Sequence, residues 1–258
     1  MLSLLGWTRW YGPENVACFI AEPVVGATLG AAPAPPGYFQ RVREICDRYE
    51  VLFIADEVMC GFGRTGRWFA VEHWDVVPDV LVAAKGVSGG YAPLAVLIAH
   101  EDIVEPLRQA ETPFVMGHTY AQNPVSAAAG LAVLDYIQRH DLVRAAEERG
   151  RQLRAGLCDL IQKHRILGDV RGLGLLLGVE LVADRVTRAP FPVEAGVAYR
   201  FARACMDEGL AIYPGQGCVD GLVGDHALVT PPLVITADQV DDLVEAIDRA
   251  LSRVEATV

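Results

Sequence analysis

One lysine stands between an apolar run and a glycine-rich turn, in Leu81-Val82-Ala83-Ala84-Lys85-Gly86-Val87-Ser88-Gly89-Gly90. An earlier apolar run ends in acid, in Val51-Leu52-Phe53-Ile54-Ala55-Asp56-Glu57-Val58. If both runs are buried parallel strands, Lys85 and Asp56 stand at their carboxyl ends, the side of an open α/β sheet on which ligands bind. A lysine amine forms a Schiff base with a carbonyl compound, and in pyridoxal-phosphate enzymes a carboxylate keeps the pyridine nitrogen protonated so that the ring accepts electrons. The pair therefore points to pyridoxal 5'-phosphate as cofactor. Singly, each residue has a plainer reading: Asp56 as a turn residue, Lys85 as a solvated strand end. Their joint placement favours chemistry.

The elements that must position the pair are short. Residues 16–21, 51–55, 80–84 and 94–99 are continuous apolar runs, the pattern of strands covered on both faces, and predict a largely parallel sheet. Between the first two, Tyr38, Phe39, Val42, Ile45, Cys46 and Tyr49 recur at helical spacing after Pro36-Gly37, which makes a strand-helix-strand unit. Asn123 before Pro124 reads as the N-cap of a helix rich in small residues over 125–138. After Asp141 comes a long amphipathic helix, then two apolar runs at 166–171 and 175–181, a helix over 193–208, and a last helix opened by the Thr236/Gln239 capping box. The expected organisation is residues 1–140 as part of a large α/β domain and 141–258 as a smaller α+β domain.

Composition narrows the function classes. With 258 residues, 52% of them hydrophobic, there is material for a large core. A formal net charge of -11 without a basic run argues against nucleic acid as a partner. Six cysteines, at 18, 46, 60, 158, 205 and 218, show no C-x-x-C spacing, so neither a zinc site nor a disulfide framework is signalled. The first ten residues carry neither a basic stretch nor an apolar run long enough for a signal peptide or a membrane span, so a cytoplasmic location is expected.

Gly61-Phe62-Gly63-Arg64-Thr65-Gly66 fits G-x-G-x-x-G, a weak motif when alone. A dinucleotide fold needs the first glycine directly after its strand and the third opening a helix; here residues 56–60 intervene and a proline breaks 67–78. The segment from Asp56 to Gly66 and Ala84-Lys85-Gly86 instead resemble the signatures of class III aminotransferases, pyridoxal-phosphate enzymes of fold type I, and most closely an amine or ω-aminotransferase branch. Ala21-Glu22-Pro23-Val24-Val25-Gly26, Gly117-His118-Thr119-Tyr120 with Asn123-Pro124, and Val170-Arg171-Gly172-Leu173-Gly174 match in order. The resemblance implies an amino group moved from an amine or amino acid to a keto acid. It implies Lys85 as the Schiff-base lysine and proton shuttle, Asp56 on the pyridinium nitrogen and Val58 against the ring. Thr119 would reach the cofactor phosphate of a neighbouring subunit, which implies a dimer.

The match is incomplete. The family's first portion, with its phosphate cup and ring-stacking aromatic residue, has no counterpart here, so a split enzyme completed by another chain in a hetero-oligomer, or a truncated and inactive product, is expected. Met59 takes the place of a glutamine found in some branches. No Arg or Lys occurs between Arg203 and Arg249, where many relatives carry a carboxylate-binding arginine; Tyr213 and Leu228 stand at those positions. Glu22, which pairs with such an arginine in relatives, would then lack that partner; with Tyr213 it is a substrate-side candidate. Residues 215–225 read as an inserted loop, and His226 is the nearest cation candidate, with a structural histidine as the plainer reading. A same-fold aminomutase or racemase and a non-catalytic subunit remain as alternatives, separated from a transaminase by consumption of a keto acceptor and by cofactor binding.

Overall fold

The structure is a computed structural model that describes residue 6 and residues 10–110 and 117–258. The reading of the first ten residues thus concerns positions that, Gly6 and Trp10 apart, lie outside the described residues. The chain forms two compact units, one of Met1–Pro23, Ala34–Phe62 and Arg67–His140, the other of Val24–Pro33, Gly63–Gly66 and Asp141–Val258. A division at 140 assigns the segments Val24–Pro33 and Gly63–Gly66 to the first unit. Their contacts place them in the second.

In chain order, β1 (Cys18–Ala21) is followed by the short antiparallel pair β2 (Val24–Val25) and β3 (Ala32–Pro33) of the second unit. Helix α1 (Tyr38–Tyr49), β4 (Leu52–Asp56), β5 (Val80–Ala83), β6 (Val96–Ala99), α2 (Glu101–Gln109) and α3 (Pro124–Arg139) belong to the first. Its sheet runs β1-β4-β5-β6. The first three strands are parallel, with Ile20 opposite Ile54 and Asp56 opposite Val82. β6 pairs antiparallel with β5, Val82 facing Leu97, so the sheet is largely parallel as expected, with one antiparallel strand at its edge. An apolar run reads the same in either direction; only the connection decides.

One face of this sheet is packed. The α1 stripe of Phe39, Val42, Ile45 and Cys46 is buried, and Phe39 stacks on Phe53 at 5.6 Å between ring centroids, with Trp74 edge-on at 5.3 Å. The opposite face, which carries Cys18, Ile20, Leu52, Ile54, Val82 and Leu97 by register, is different. Ile20 is 57% and Leu97 68% exposed. Cys18 and Leu52 are exposed as well, while Ile54 and Val82 are half-buried, so the expectation of strands buried on both faces holds for one face only. Asn123 caps α3 as its type predicts, its Oδ1 accepting from the N–H groups of Val125 (2.9 Å) and Ser126 (3.3 Å).

The second unit continues with α4 (Leu142–Lys163), β7 (Leu167–Leu173), β8 (Leu176–Leu181), α5 (Val197–Asp207), β9 (Tyr213–Gln216), β10 (Asp225–Val229) and α6 (Ala237–Glu255). Its antiparallel sheet runs β7-β8-β10-β9, and the helices close one core around Leu153, Leu157, Leu177, Phe201, Ile247 and Leu251. The capping box of α6 forms as read: Thr236 N–H donates to Gln239 Oε1 at 3.0 Å and Gln239 N–H to Thr236 Oγ1 at 3.3 Å. Residues 215–225 are no inserted loop throughout. Gly215, Gln216 and Asp225 lie in a β-hairpin whose turn is 217–224.

Two arginines hold the borrowed segments. Arg171 donates to the carbonyls of Leu29 (2.7 Å) and Gly30 (3.0 Å), which explains the arginine of the Val170–Gly174 motif. Arg64 donates to the carbonyls of Pro231 (2.5 Å) and Leu175 (3.3 Å), while Leu175 N–H donates back to Arg64 O at 2.9 Å. Burial pulls the Arg64 guanidinium down to about 10.

Candidate functional site

β4 and β5 are parallel neighbours, so their carboxyl ends deliver Asp56 and Lys85 to the same edge of the first unit's sheet. Asp56 is the last residue of β4, on the uncovered face; its partner Val82 precedes Lys85 by three residues. The turn after Asp56 is held tightly. Asp56 Oδ1 accepts from Val58 N–H (3.1 Å), Glu57 N–H donates to Val82 O (2.7 Å), and Gly61 N–H donates to Glu57 O (2.9 Å).

Lys85 opens the 3₁₀ turn Lys85–Ser88 with φ 47°, a left-handed conformation unusual for a residue with a side chain. Such strain clusters where the surrounding structure fixes a functional group. The turn is packed on both sides: a Cβ built on Gly86 would stand 3.6 Å from Gly61 O, and one on Gly130 of α3 would meet Leu94 Cδ2 at 2.5 Å and Val87 O at 3.6 Å. The two signature turns therefore adjoin. The close packing expected of the small-residue helix is realised at Gly130.

Lysine is scarce in this chain. Lys85 and Lys163 are its two lysines, and Lys163 pairs with Asp248 at 2.9 Å in the second unit. The Lys85 side chain is exposed, and among the described residues no hydrogen bond or ion pair engages its amine. An unengaged amine and a half-buried carboxylate on adjoining turns are the two groups that pyridoxal 5'-phosphate requires, one for its carbonyl and one for its ring nitrogen. The residues fit the group.

The remaining sequence candidates are dispersed. Val58 is half-buried in the turn after Asp56. Thr119 lies in an exposed turn before α3, not in a buried strand. Glu22, half-buried, follows β1. Tyr213, 58% exposed, begins β9 in the second unit opposite Leu228 of β10. His226 is corrected as a cation candidate: it is fully buried, its Nε2 bonds to Ala27 O at 2.7 Å, and burial holds its pKa below the usual histidine value. Its neutral ring ties down the 24–33 segment.

Residues 9–251 match the class III aminotransferase family. The chain belongs to the class III aminotransferases. Such enzymes depend on pyridoxal 5'-phosphate. Among relatives of this class III chain, an uncharacterized aminotransferase of Bacillus subtilis (strain 168) is 41% identical over 244 residues, 95% of this chain and 55% of the relative. A transaminase from the marine bacterium Virgibacillus superposes with a TM-score of 0.94 at 39% identity, covering 98% of this chain and 56% of its own. An amine transaminase from an uncultivated Pseudomonas species, in its PLP-bound form, gives a TM-score of 0.89 at 35% identity, covering 97% and 55%. The chain spans about half the length of the curated relatives it matches.

One residue of the site escapes a reading by motif. Glu57 is fully buried, and each carboxylate oxygen accepts a backbone N–H, Oε2 from Ala70 and Oε1 from Val71, both at 2.9 Å. Its only sequence signal was an acid placed beside Asp56 at the end of an apolar strand. Of the described residues, no His, Cys, Asp or Glu cluster could hold a metal, and no helix is long and apolar enough to cross a membrane.

Proposed function

We propose that this chain carries the lysine and ring-nitrogen carboxylate of a transaminase that moves an amino group from an amine or amino acid to a keto acid. The observation that carries the reading is the convergence of Asp56 and Lys85 on adjoining turns at the ends of parallel neighbours β4 and β5. When bound, pyridoxal 5'-phosphate supplies the electron sink. Lys85 would hold the cofactor through its amine and, when the amino donor takes its place, would serve as the base that moves the proton off the donor's α-carbon. Asp56, its carboxylate oriented by Val58 N–H, would hold the proton on the ring nitrogen. Val58 would provide an apolar surface for the ring.

Thr119, on its exposed turn, donates its hydroxyl to the cofactor phosphate of a neighbouring subunit, so the complete site is that of a dimer. Glu22 and Tyr213 serve the substrate side. Activity further requires the part of the relatives' fold that lies outside the match, joined to this chain or supplied by another. The apolar side chains standing exposed on the Ile20/Leu97 face support this, since natural sheets keep such surface covered.

Borohydride reduction after cofactor loading tests the reading, because it fixes a lysine-bound cofactor in place. Label is expected on the Lys85 peptide, with Lys163 as the internal control. Lys85→Ala should remove the label and lower transamination by on the order of 10³-fold or more. Label on Lys163 alone, or amino transfer that survives Lys85→Ala, would defeat it.

A further inference from the structure

The chemistry above leaves the buried carboxylate of Glu57 without a task. Glu57 follows Asp56 directly, is fully buried, and belongs to a turn that also fastens β4 to β5 through Glu57 N–H and Val82 O, 2.7 Å apart. Burying an anion is costly unless donors replace its water, and here two backbone N–H groups do so. They belong to the first two residues of the 3₁₀ turn Ala70–Trp74, whose opening N–H groups lack partners within the turn itself. Phe69 N–H just before them is taken by Glu72 Oε1 at 2.8 Å. Burial, and more weakly the Glu72 charge, push the Glu57 carboxyl up, while the Ala70 and Val71 N–H groups and the Cys60 side chain hold it back. Each carboxylate oxygen thus accepts a backbone N–H, bonding that favours the ionised form.

The contact spans 13 residues, from 57 to 70, and so closes a loop over 58–69. That loop includes Gly63–Gly66, the segment the second unit takes in, and its foot is the turn that orients Asp56. We infer that Glu57 is a positioning residue: its buried carboxylate clamps the foot of the 58–69 loop and thereby holds Asp56 in the orientation that meets the cofactor's ring nitrogen. The inference deepens the proposed function and rests on its assignment of Asp56. Glu57 itself touches neither cofactor nor substrate. It acts through the backbone of its neighbour.

Glutamine is nearly the same shape as glutamate but offers one acceptor oxygen, and its amide would set two donors against the N–H group left over. Aspartate keeps the charge and falls one methylene short. In the Glu57→Gln holoenzyme, hydrogen exchange at the Ala70 and Val71 amides should rise about tenfold or more. Pyridoxal 5'-phosphate should bind about tenfold more weakly, the lower end of what outer partners of site residues contribute in metal centres. The pH at which the bound cofactor's visible band titrates should move. Glu57→Asp should lose part of the amide protection and leave the band's titration near that of the wild type.

Unchanged amide exchange in Glu57→Gln overturns the clamp. Raised exchange with cofactor affinity and band titration both unaltered overturns the positioning role. If Glu57→Gln does not fold, the same two measurements on Glu57→Asp decide, because partial loss of protection without any change in cofactor affinity overturns that role equally. Failure of the underlying reading looks different. It would show as a wild-type band that Asp56→Asn leaves unshifted, whatever the amides at 70 and 71 do.

Discussion

In the second unit Leu153, Leu157, Leu177, Phe201, Ile247 and Leu251 close a core with helices and sheet all engaged, whereas the first unit gathers Phe39, Phe53 and Trp74 on one side of its sheet and leaves Ile20 and Leu97 exposed on the other. Every residue proposed to touch the cofactor lies in the first unit, and Asp56 stands on its uncovered face. The second unit supplies Tyr213 alone to the candidate set. Packing and reactivity are thus kept apart: groups that must meet a ligand sit where burial is incomplete, and groups that secure the fold sit where it is finished.

The strongest challenge to this contrast is in the second unit. Arg64→Ala strips the carbonyls of Leu175 and Pro231 of a buried donor and should cost about 3 kcal/mol, two hydrogen bonds to a charged group at the low end of their range. Arg64→Lys should recover little, since an ammonium lacks the planar fork. Denaturant unfolding followed at β7 and β8 measures the loss. A cost below about 0.5 kcal/mol, typical of surface changes, would mean that the arginine is not part of the finished core.

A smaller effect is expected from acid. Burial lowers the His226 pKa from its usual 6.5, so the unfolded chain binds the proton more readily than the folded one. The stability this contributes is full above about pH 6.5 and is lost as pH falls below it. The unfolding midpoint of the second unit should therefore drop between pH 7 and pH 5, with a shallower slope in His226→Gln. Equal slopes in the two proteins would remove His226 as the cause.

The mildest probe is thiol labelling. Burial pushes Cys46 up to about 11 and Cys205 up to about 12, while Cys18 is exposed on the uncovered face. Cys18 should react on the order of 100-fold faster than either, given how strongly thiolate population governs rate. It should become protected once that face is covered. Equal rates at Cys18 and Cys46 would show that the first unit is not packed on its α1 side.

Lys85 and Asp56 were legible because each ends an apolar strand, and strand ends are marked in sequence by the residue types that break them. The caps at Asn123 and Thr236 were legible for the same local reason. The direction of β6 was not, since residues 96–99 carry no sign of which way they pair. Nor was the hairpin of β9 and β10: the glycine-rich stretch 215–225 reads as loop, yet Gly215, Gln216 and Asp225 are paired in strands. The borrowing of Val24–Pro33 and Gly63–Gly66 depends on Arg171 and Arg64 reaching backbone carbonyls 141 and 167 residues away, which no periodicity encodes.

That borrowing has an evolutionary consequence. The chain passes from one unit to the other after residues 23, 33, 62, 66 and 140, so no single crossover in a gene separates them cleanly. A recombinant that inherited only Asp141–Val258 would expose the surface where Gly178 meets Gly30 so closely that an added Cβ would stand 2.1 Å from Gly30 O, and would leave Arg171 facing water where two carbonyls had been. Family members of this design can exchange halves only where both borrowed segments are inherited along with the unit that holds them.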